Sequence, residues 1–312
     1  MIFVYVENNQ GIYKNTAYEI ISYARFIANK LNKKITVFSI NPKSSSDNLY
    51  KFGANKVIEI YIDKKIIFDA TVYSKILMKY FTEGYFIFSH SNESIAIAAQ
   101  ISVKKNIPLI SNIIDYPISI DPIILKKRIF SGKILMEIEL LNSSMILTIL
   151  PNSIKSIENF VKGEKLEINN IISDKFKFLL KSVKYNSNKI SLKDAKIIVS
   201  AGKGLQSSKN WSIIENFANK IVAALACSKP VSDLGWRPHS EHVGQTGKIV
   251  SPLLYFAIGI SGSIQHIAGI NSNSIIVVIN SDPNAPFFKS ADYGIIGDAF
   301  KILPKIIEYL DK

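Results

Sequence analysis

An α/β protein of two domains, each a mainly parallel sheet flanked by helices, is the fold class the sequence predicts. Three observations predict it. Short apolar runs alternate with helix-period segments through the first half, as the strands and crossover helices of a parallel sheet do. The alternation pauses over a polar stretch and restarts with a new strand near residue 195. The 312 residues, 47% hydrophobic and 20% charged, also hold enough apolar material for more than one core.

Taken in order, IFVYV (2–6), ITVFSI (35–40), KVIEI (56–60), YFIFSH (85–90) and LISNI (109–113) read as strands, rich in β-branched and aromatic residues. Between them YEIISYARFIANKL (18–31), TVYSKILMKYF (71–81) and ESIAIAAQISVKK (93–105) carry apolar residues at helical spacing. ILMEIEL and MILTIL, between 128 and 150, predict two antiparallel strands that close the first domain. The polar stretch KGEKLEINNIISDKFKFLLKSVKYNSNKISLKD follows, and the boundary is expected within it near 185 to 190, giving domains 1–187 and 188–312. AKIIVSAGKGL then opens the second sheet.

Composition removes several function classes. A single cysteine, Cys227, rules out an intramolecular disulfide and a multi-cysteine metal site, and reads as a small core residue in an Ala-rich helix. The N-terminal MIFVYVENNQ lacks a basic leader and reads as a first strand, not a signal peptide. No window offers about 18 uninterrupted apolar residues, so a cytoplasmic protein without membrane insertion is expected. The net charge of +13 comes from Lys spread along the chain, with KKRIF at 126–130 the densest cluster; this reads as solvated faces of biased composition and not as a nucleic-acid footprint.

The chemistry gathers in the second half. SAGKGL (200–205), CSKPVSDLGW (227–236), HVGQTGK (242–248), GISGSIQH (259–266) and INSDPNAPFF (279–288) are read as strand ends carrying small or polar residues. Ligands of an open parallel sheet bind outside the carboxyl ends of its strands, so these stretches are expected to form one site. An apolar run ending in Ser261, Gly262 and Ser263 and feeding a helix suits an anion, because backbone N–H groups and the helix dipole point the same way.

Rival motifs fail on their own terms. GISGS resembles a serine-hydrolase elbow, but its fifth position is Ser263, and no Asp and His follow in the required order. GQTGK is too short between Gly244 and Gly247 for a phosphate loop, and Ile249 stands where the magnesium-binding hydroxyl belongs. His239, Glu241 and His242 lack a fourth partner for a metal and read as structural or solvated.

WRPHSEHVGQTGKIVSPLLYFAIGISGSIQHIAGI, followed by IIVVINSDPNAPFFKSADYGIIGDAFKILPKII, closely resembles the FAD-binding domain of electron transfer flavoprotein alpha subunits, from about Ala201 to Leu310. The N-terminal half matches more loosely, through its strand–helix order, FGANKV and the piece at Arg128. The resemblance implies a redox carrier and not an enzyme, with FAD in a Rossmann-like second domain. It implies a heterodimer with an AMP-bearing beta subunit that packs against the FAD domain. Dehydrogenases, such as acyl-CoA dehydrogenases, would donate electrons, and a quinone oxidoreductase would accept them.

Residue by residue, the resemblance places Ser261, Gly262 and Gln265 at the FAD pyrophosphate, and Ser228 and Gln245 at the phosphate–ribityl region. Thr246, beside Gly247, falls at N5 and O4 of the flavin, and His266 falls near O2, where a donor favours the charge of the reduced ring. Asn280 and Asp298 match positions at the adenosine end, although Asp298 also reads as a helix N-cap. Three positions depart from the family. Lys229 and Lys203 stand where Arg is expected, keeping charge without the stacking plane, and Leu150 replaces an Arg in the first domain, so a partner contact is not carried over there. A structural subunit that has lost its flavin is the rival reading.

Overall fold

The computed structural model describes all residues except 63–67, 130–133, 142, 170–189, 272–273 and 311–312. The chain divides into two compact units, residues 1–185 and 186–312. The boundary expected at 187/188 lies outside the described residues, as does most of the piece following Arg128.

Unit 1 follows the predicted alternation closely. Its elements are β1 (Ile2–Tyr5), α1 (Asn15–Leu31), β2 (Ile35–Ile40), β3 (Lys56–Tyr61), α2 (Ala70–Met78), β4 (Tyr85–Ser89), α3 (Asn92–Lys105) and β5 (Leu109–Ile113). There follow β6 (Ile123–Ile129), β7 (Ile134–Leu140), β8 (Met145–Ile149) and β9 (Glu164–Asn169). The strand order is β7-β6-β5-β8-β4-β1-β2-β3-β9. β1, β2, β4 and β8 are buried at every position, as strands covered on both faces must be. Two apolar clusters fill those faces, one centred on α1 with Tyr23 and Ile27, the other an aromatic group of Phe3, Phe38, Phe81 and Phe86.

Two expectations for this unit are corrected. MILTIL is not an antiparallel closing strand: β8 runs parallel between β4 and β5 in the middle of the sheet. Its five residues are all buried, which an edge strand does not require. ILMEIEL is antiparallel, but its partner is β6, a strand hidden in the basic stretch IILKKRI. The polar segment after 150 also contributes β9, paired in parallel with β3, with Lys165 bridging Glu59 at 3.0 Å.

The chain order places β2 and β3 on one side of β1 and β4 on the other, so β1 and β4 flank the topological switch point, where such folds take ligands. Here the place is filled from within. Glu7, 3% exposed, receives Lys14 Nζ at 2.6 Å and the hydroxyls of Ser89, Ser91 and Ser94 around the start of α3. At this place the chain itself supplies a carboxylate.

Unit 2 contains β10 (Ile197–Ala201), α4 (Ser212–Lys220), β11 (Ala224–Cys227), α5 (Lys229–Asp233), β12 (Leu254–Ile258), α6 (Ile264–Ile267), β13 (Ile275–Asn280), β14 (Tyr293–Ile296) and α7 (Ala299–Leu310). Its sheet is parallel throughout, in the order β11-β10-β12-β13-β14. Apolar clusters lie on both faces, one around Tyr255 and Phe287, the other around Trp211, Phe217 and Leu303. Cys227 is buried, but it ends strand β11 and is not helical; burial pushes its thiol up to about 12, so it serves as packing and not as a nucleophile. No helix among the described residues is long and apolar enough to cross a membrane.

Candidate functional site: a cavity at the switch point of unit 2

In unit 2 the chain goes from β10 to β11 on one side and returns to β12 on the other, so the carboxyl ends of β10 and β12 frame an opening. The two chains leave this point almost in contact. Gly204 N donates to Gly259 O at 3.0 Å, and Gly259 takes φ +58°, a left-handed conformation for which glycine has no steric penalty.

A cavity of about 640 Å³ opens there, within the roughly 300–1,000 Å³ usual for small-molecule sites. Four segments of the second half converge on it after their strands: Lys203 after β10, Ser228 and Lys229 after β11, Ser261 and Gln265 after β12, and Asn280 at the end of β13. Gln245 and Thr246 line it as well, although HVGQTGK follows no strand. That stretch is an excursion held by isolated bridges, Cys227 with His242 and Val243 with Lys248. Gln245 N then donates to Gln265 O at 2.7 Å, tying the excursion to the segment after β12.

At 261–263 the helix dipole contributes less than the sequence suggests. Helix α6 spans only Ile264–Ile267, a single turn, and cannot sum the dipole of a long helix. The cradle comes instead from the loop. Gly262 has φ +88°, and a Cβ there would lie 2.5 Å from Phe287 N and Phe287 Cβ. The backbone of Ser261 is held against that segment by Phe287 N donating to its carbonyl at 3.0 Å. Ser261 and Gln265 are exposed and line the cavity.

Eight of the eleven expected positions line the cavity: Ser228, Lys229, Gln245, Thr246, Ser261, Gln265, His266 and Asn280. Gly262 and Gly247 stand behind it. Gly262 packs on Phe287, and a Cβ on Gly247 would meet His242 O at 2.5 Å. Asp298 lies apart from the lining and caps α7, accepting from Phe300 N at 2.9 Å through Oδ1. Asn280 is partly committed as well: its Nδ2 donates to Ile260 O at 3.0 Å and its Oδ1 accepts from Asp282 N at 3.1 Å, which pins the β12 and β13 loops together.

His266 is 4% exposed, and its Nε2 lies 2.9 Å from the hydroxyl of fully buried Tyr255, while its Nδ1 has no hydrogen bond. Burial, reinforced by nearby His242, lowers its pKa to about 4, so the ring is neutral at pH 7. His242 also lines the cavity, 2% exposed, with Nδ1 unpartnered; burial and then His239 lower its pKa too. Sequence reasoning set this residue aside as structural. A histidine directly before VGQTG was the available signal, and its burial beside the cavity is what changes the reading.

Glu241 is held by Arg237 through Nε to Oε2 at 2.6 Å and Nη2 to Oε1 at 3.0 Å, and no group of three or more metal-ligating side chains is found among the described residues. Arg237 also reaches Glu215 at 2.6 Å and lies over the Trp211 ring at 5.3 Å. This clamp fixes the start of the excursion that carries Gln245 and Thr246.

Two orphaned imidazole nitrogens, a glycine cradle beside exposed hydroxyls, and the cations Lys203 and Lys229 suit a large ligand with an anionic middle and a polar ring. The comparisons agree. An electron transfer flavoprotein domain matches residues 2–172, and an electron transfer flavoprotein FAD-binding domain matches 191–271. The electron transfer flavoprotein subunit alpha of Bacillus subtilis is 30% identical over 98% of this chain and 96% of its own. That of Thermoanaerobacterium thermosaccharolyticum is 32% identical over 100% and 98%. The subunit from Paracoccus denitrificans reaches 47% over a shorter stretch, 38% of this chain and 39% of its own.

Proposed function

The chain belongs to the electron transfer flavoprotein family as an alpha subunit whose cofactor is FAD, and from that premise we propose that it carries electrons on FAD held in the unit 2 cavity. The observation that supports this reading best is the convergence of eight family-matched residues, from four separate stretches, on one cavity.

In this reading Ser261, Gln265 and the loop N–H groups around Gly262 hold the pyrophosphate, with Ser228 and Gln245 along the ribityl chain. Lys203 and Lys229 offset the negative charge. Thr246 offers a hydroxyl that either donates or accepts at the N5 and O4 edge, and His266 faces O2. Asn280 serves the adenosine end while holding its loops, and Asp298 has its second oxygen free of the cap. When bound, FAD supplies reversible one- and two-electron redox chemistry. The protein's part is to orient the ring, exclude water from it and set its potential. None of the eight matched residues that line the cavity is a carboxylate, which is why a carrier role is preferred to that of an enzyme with its own substrate.

The partners follow at the same level of inference: an AMP-bearing beta subunit completing the site, dehydrogenases such as acyl-CoA dehydrogenases as donors, and a quinone oxidoreductase as acceptor. The test is a visible spectrum of the chain co-purified with its beta subunit, followed through stepwise dithionite reduction. Near-stoichiometric flavin bands that bleach reversibly are expected. A colourless heterodimer that takes up no added FAD would overturn the proposal and favour a structural subunit.

A further inference from the structure

We propose that Tyr255 is a positioning residue that fixes His266 as the Nδ1–H tautomer, so that the ring presents a hydrogen-bond donor, not an acceptor, to the cavity. The inference rests on the FAD reading of that cavity and adds which atom of His266 serves it.

A neutral imidazole carries one N–H and one lone pair, and the partner of one nitrogen decides the state of the other. Tyr255 is buried completely, among Ile198, Ala226 and Ile276, with its hydroxyl 2.9 Å from His266 Nε2. Burial raises its pKa far beyond the usual phenol range, so the O–H is always present. If Nε2 carried the ring proton, the phenol would have to accept it and send its own O–H elsewhere in an apolar cluster. The other polar group beside the phenol is Ser200, which opposes the rise in the phenol's pKa as a hydroxyl donating to its oxygen does, so the phenol's own O–H is left for Nε2. A buried O–H without an acceptor is costly, so the phenol donates to Nε2. The ring proton then sits on Nδ1, which lies beside the Val243 backbone without a fully formed hydrogen bond, on a side chain that lines the cavity.

The donor matters because the reduced ring gathers negative charge at its N1 and O2 edge, where a lone pair would repel it. It also explains a tyrosine inside a strand otherwise built of apolar residues. A phenylalanine would fill the same volume but leave Nε2 uncommitted.

The test is 15N NMR of the histidine-labelled chain in complex with its beta subunit, before and after FAD loading, with the four histidines assigned through single substitutions. The flavin-free complex is expected to show His266 with Nδ1 protonated, and Tyr255→Phe is expected to shift it toward Nε2–H. An Nε2–H pattern in the unsubstituted complex, or an unchanged tautomer in Tyr255→Phe, overturns the proposal. Should Tyr255→Phe fail to fold, the measurement on the unsubstituted complex decides alone. With flavin bound, Tyr255→Phe is expected to weaken retention of the reduced form about tenfold relative to the oxidised form, about 59 mV for one electron. FAD binding that leaves the His266 resonances unmoved would instead sink the cavity reading, and the flavin-free tautomer separates that failure from this one.

Discussion

At the residue scale the sharpest test is Lys229. A unit charge about 4 Å from the ring, at an effective dielectric near 20, amounts to about 4 kcal/mol, but Lys229 is exposed and solvent screens much of that. Lys229→Met is therefore expected to lower the flavin midpoint potential by roughly 50 mV, read by spectroelectrochemical titration; an unchanged potential rejects a role for the charge. Lys229→Arg is expected to tighten FAD binding, because a planar guanidinium stacks and offers more donors. Gly262→Ala probes the cradle instead of the charge. At φ +88° and 2.5 Å from Phe287, its Cβ has nowhere to go, so FAD affinity is expected to fall at least tenfold by fluorescence titration, with a lower Tm. His266 sets a pH dependence. Its folded pKa, about 4, lies below the unfolded value near 6.5, so the unfolded chain binds more protons between the two. Stability is full above pH 6.5 and is lost as pH falls toward 4, on the order of 3 kcal/mol in all, and His266→Gln should flatten that slope in melts recorded from pH 4 to 7.

At the scale of elements, two networks decide how well the scaffold holds. Arg237 joins α4 to the excursion through Glu215 and Glu241, and Glu241 is only 6% exposed. Arg237→Met takes two hydrogen bonds and a counter-charge from that buried carboxylate, which costs roughly 3 kcal/mol, and loosens the loop carrying Gln245 and Thr246. A lower Tm together with faster flavin dissociation is expected; a lower Tm alone would mean that the clamp supports only the fold. These elements also show what the sequence made legible. Periodicity located β1 to β5 and their three helices because apolar runs and helical stripes survive without tertiary knowledge. It misassigned β8, since direction is not written in a buried run, and it passed over β6 and β9, whose lysines and glutamates suit an edge or a wet face. In the site the resemblance named side chains that line the cavity. It missed His242, because a lone histidine carries no periodic signal, and the dipole argument failed because nothing at 261–266 announces that the helix is one turn long.

For the whole molecule, the two units give contrasting answers to one topology. Both have a switch point at the carboxyl ends of their central strands, but unit 1 fills its own with Glu7, while unit 2 leaves about 640 Å³ open. Burial opposes the charge on Glu7, yet Lys14 and the hydroxyls of Ser91 and Ser94 outweigh it and hold the carboxyl below its ordinary range. A ligand stabilises only the state and the region it binds. FAD added to the heterodimer should therefore slow amide exchange at the loops around residues 203–206, 228–233, 242–247 and 261–266, and leave the segment from Glu7 to Ser94 unchanged. Protection that appeared equally around Glu7 would mean that the closed switch point of unit 1 also responds to the nucleotide, and the division of labour between the units would have to be redrawn.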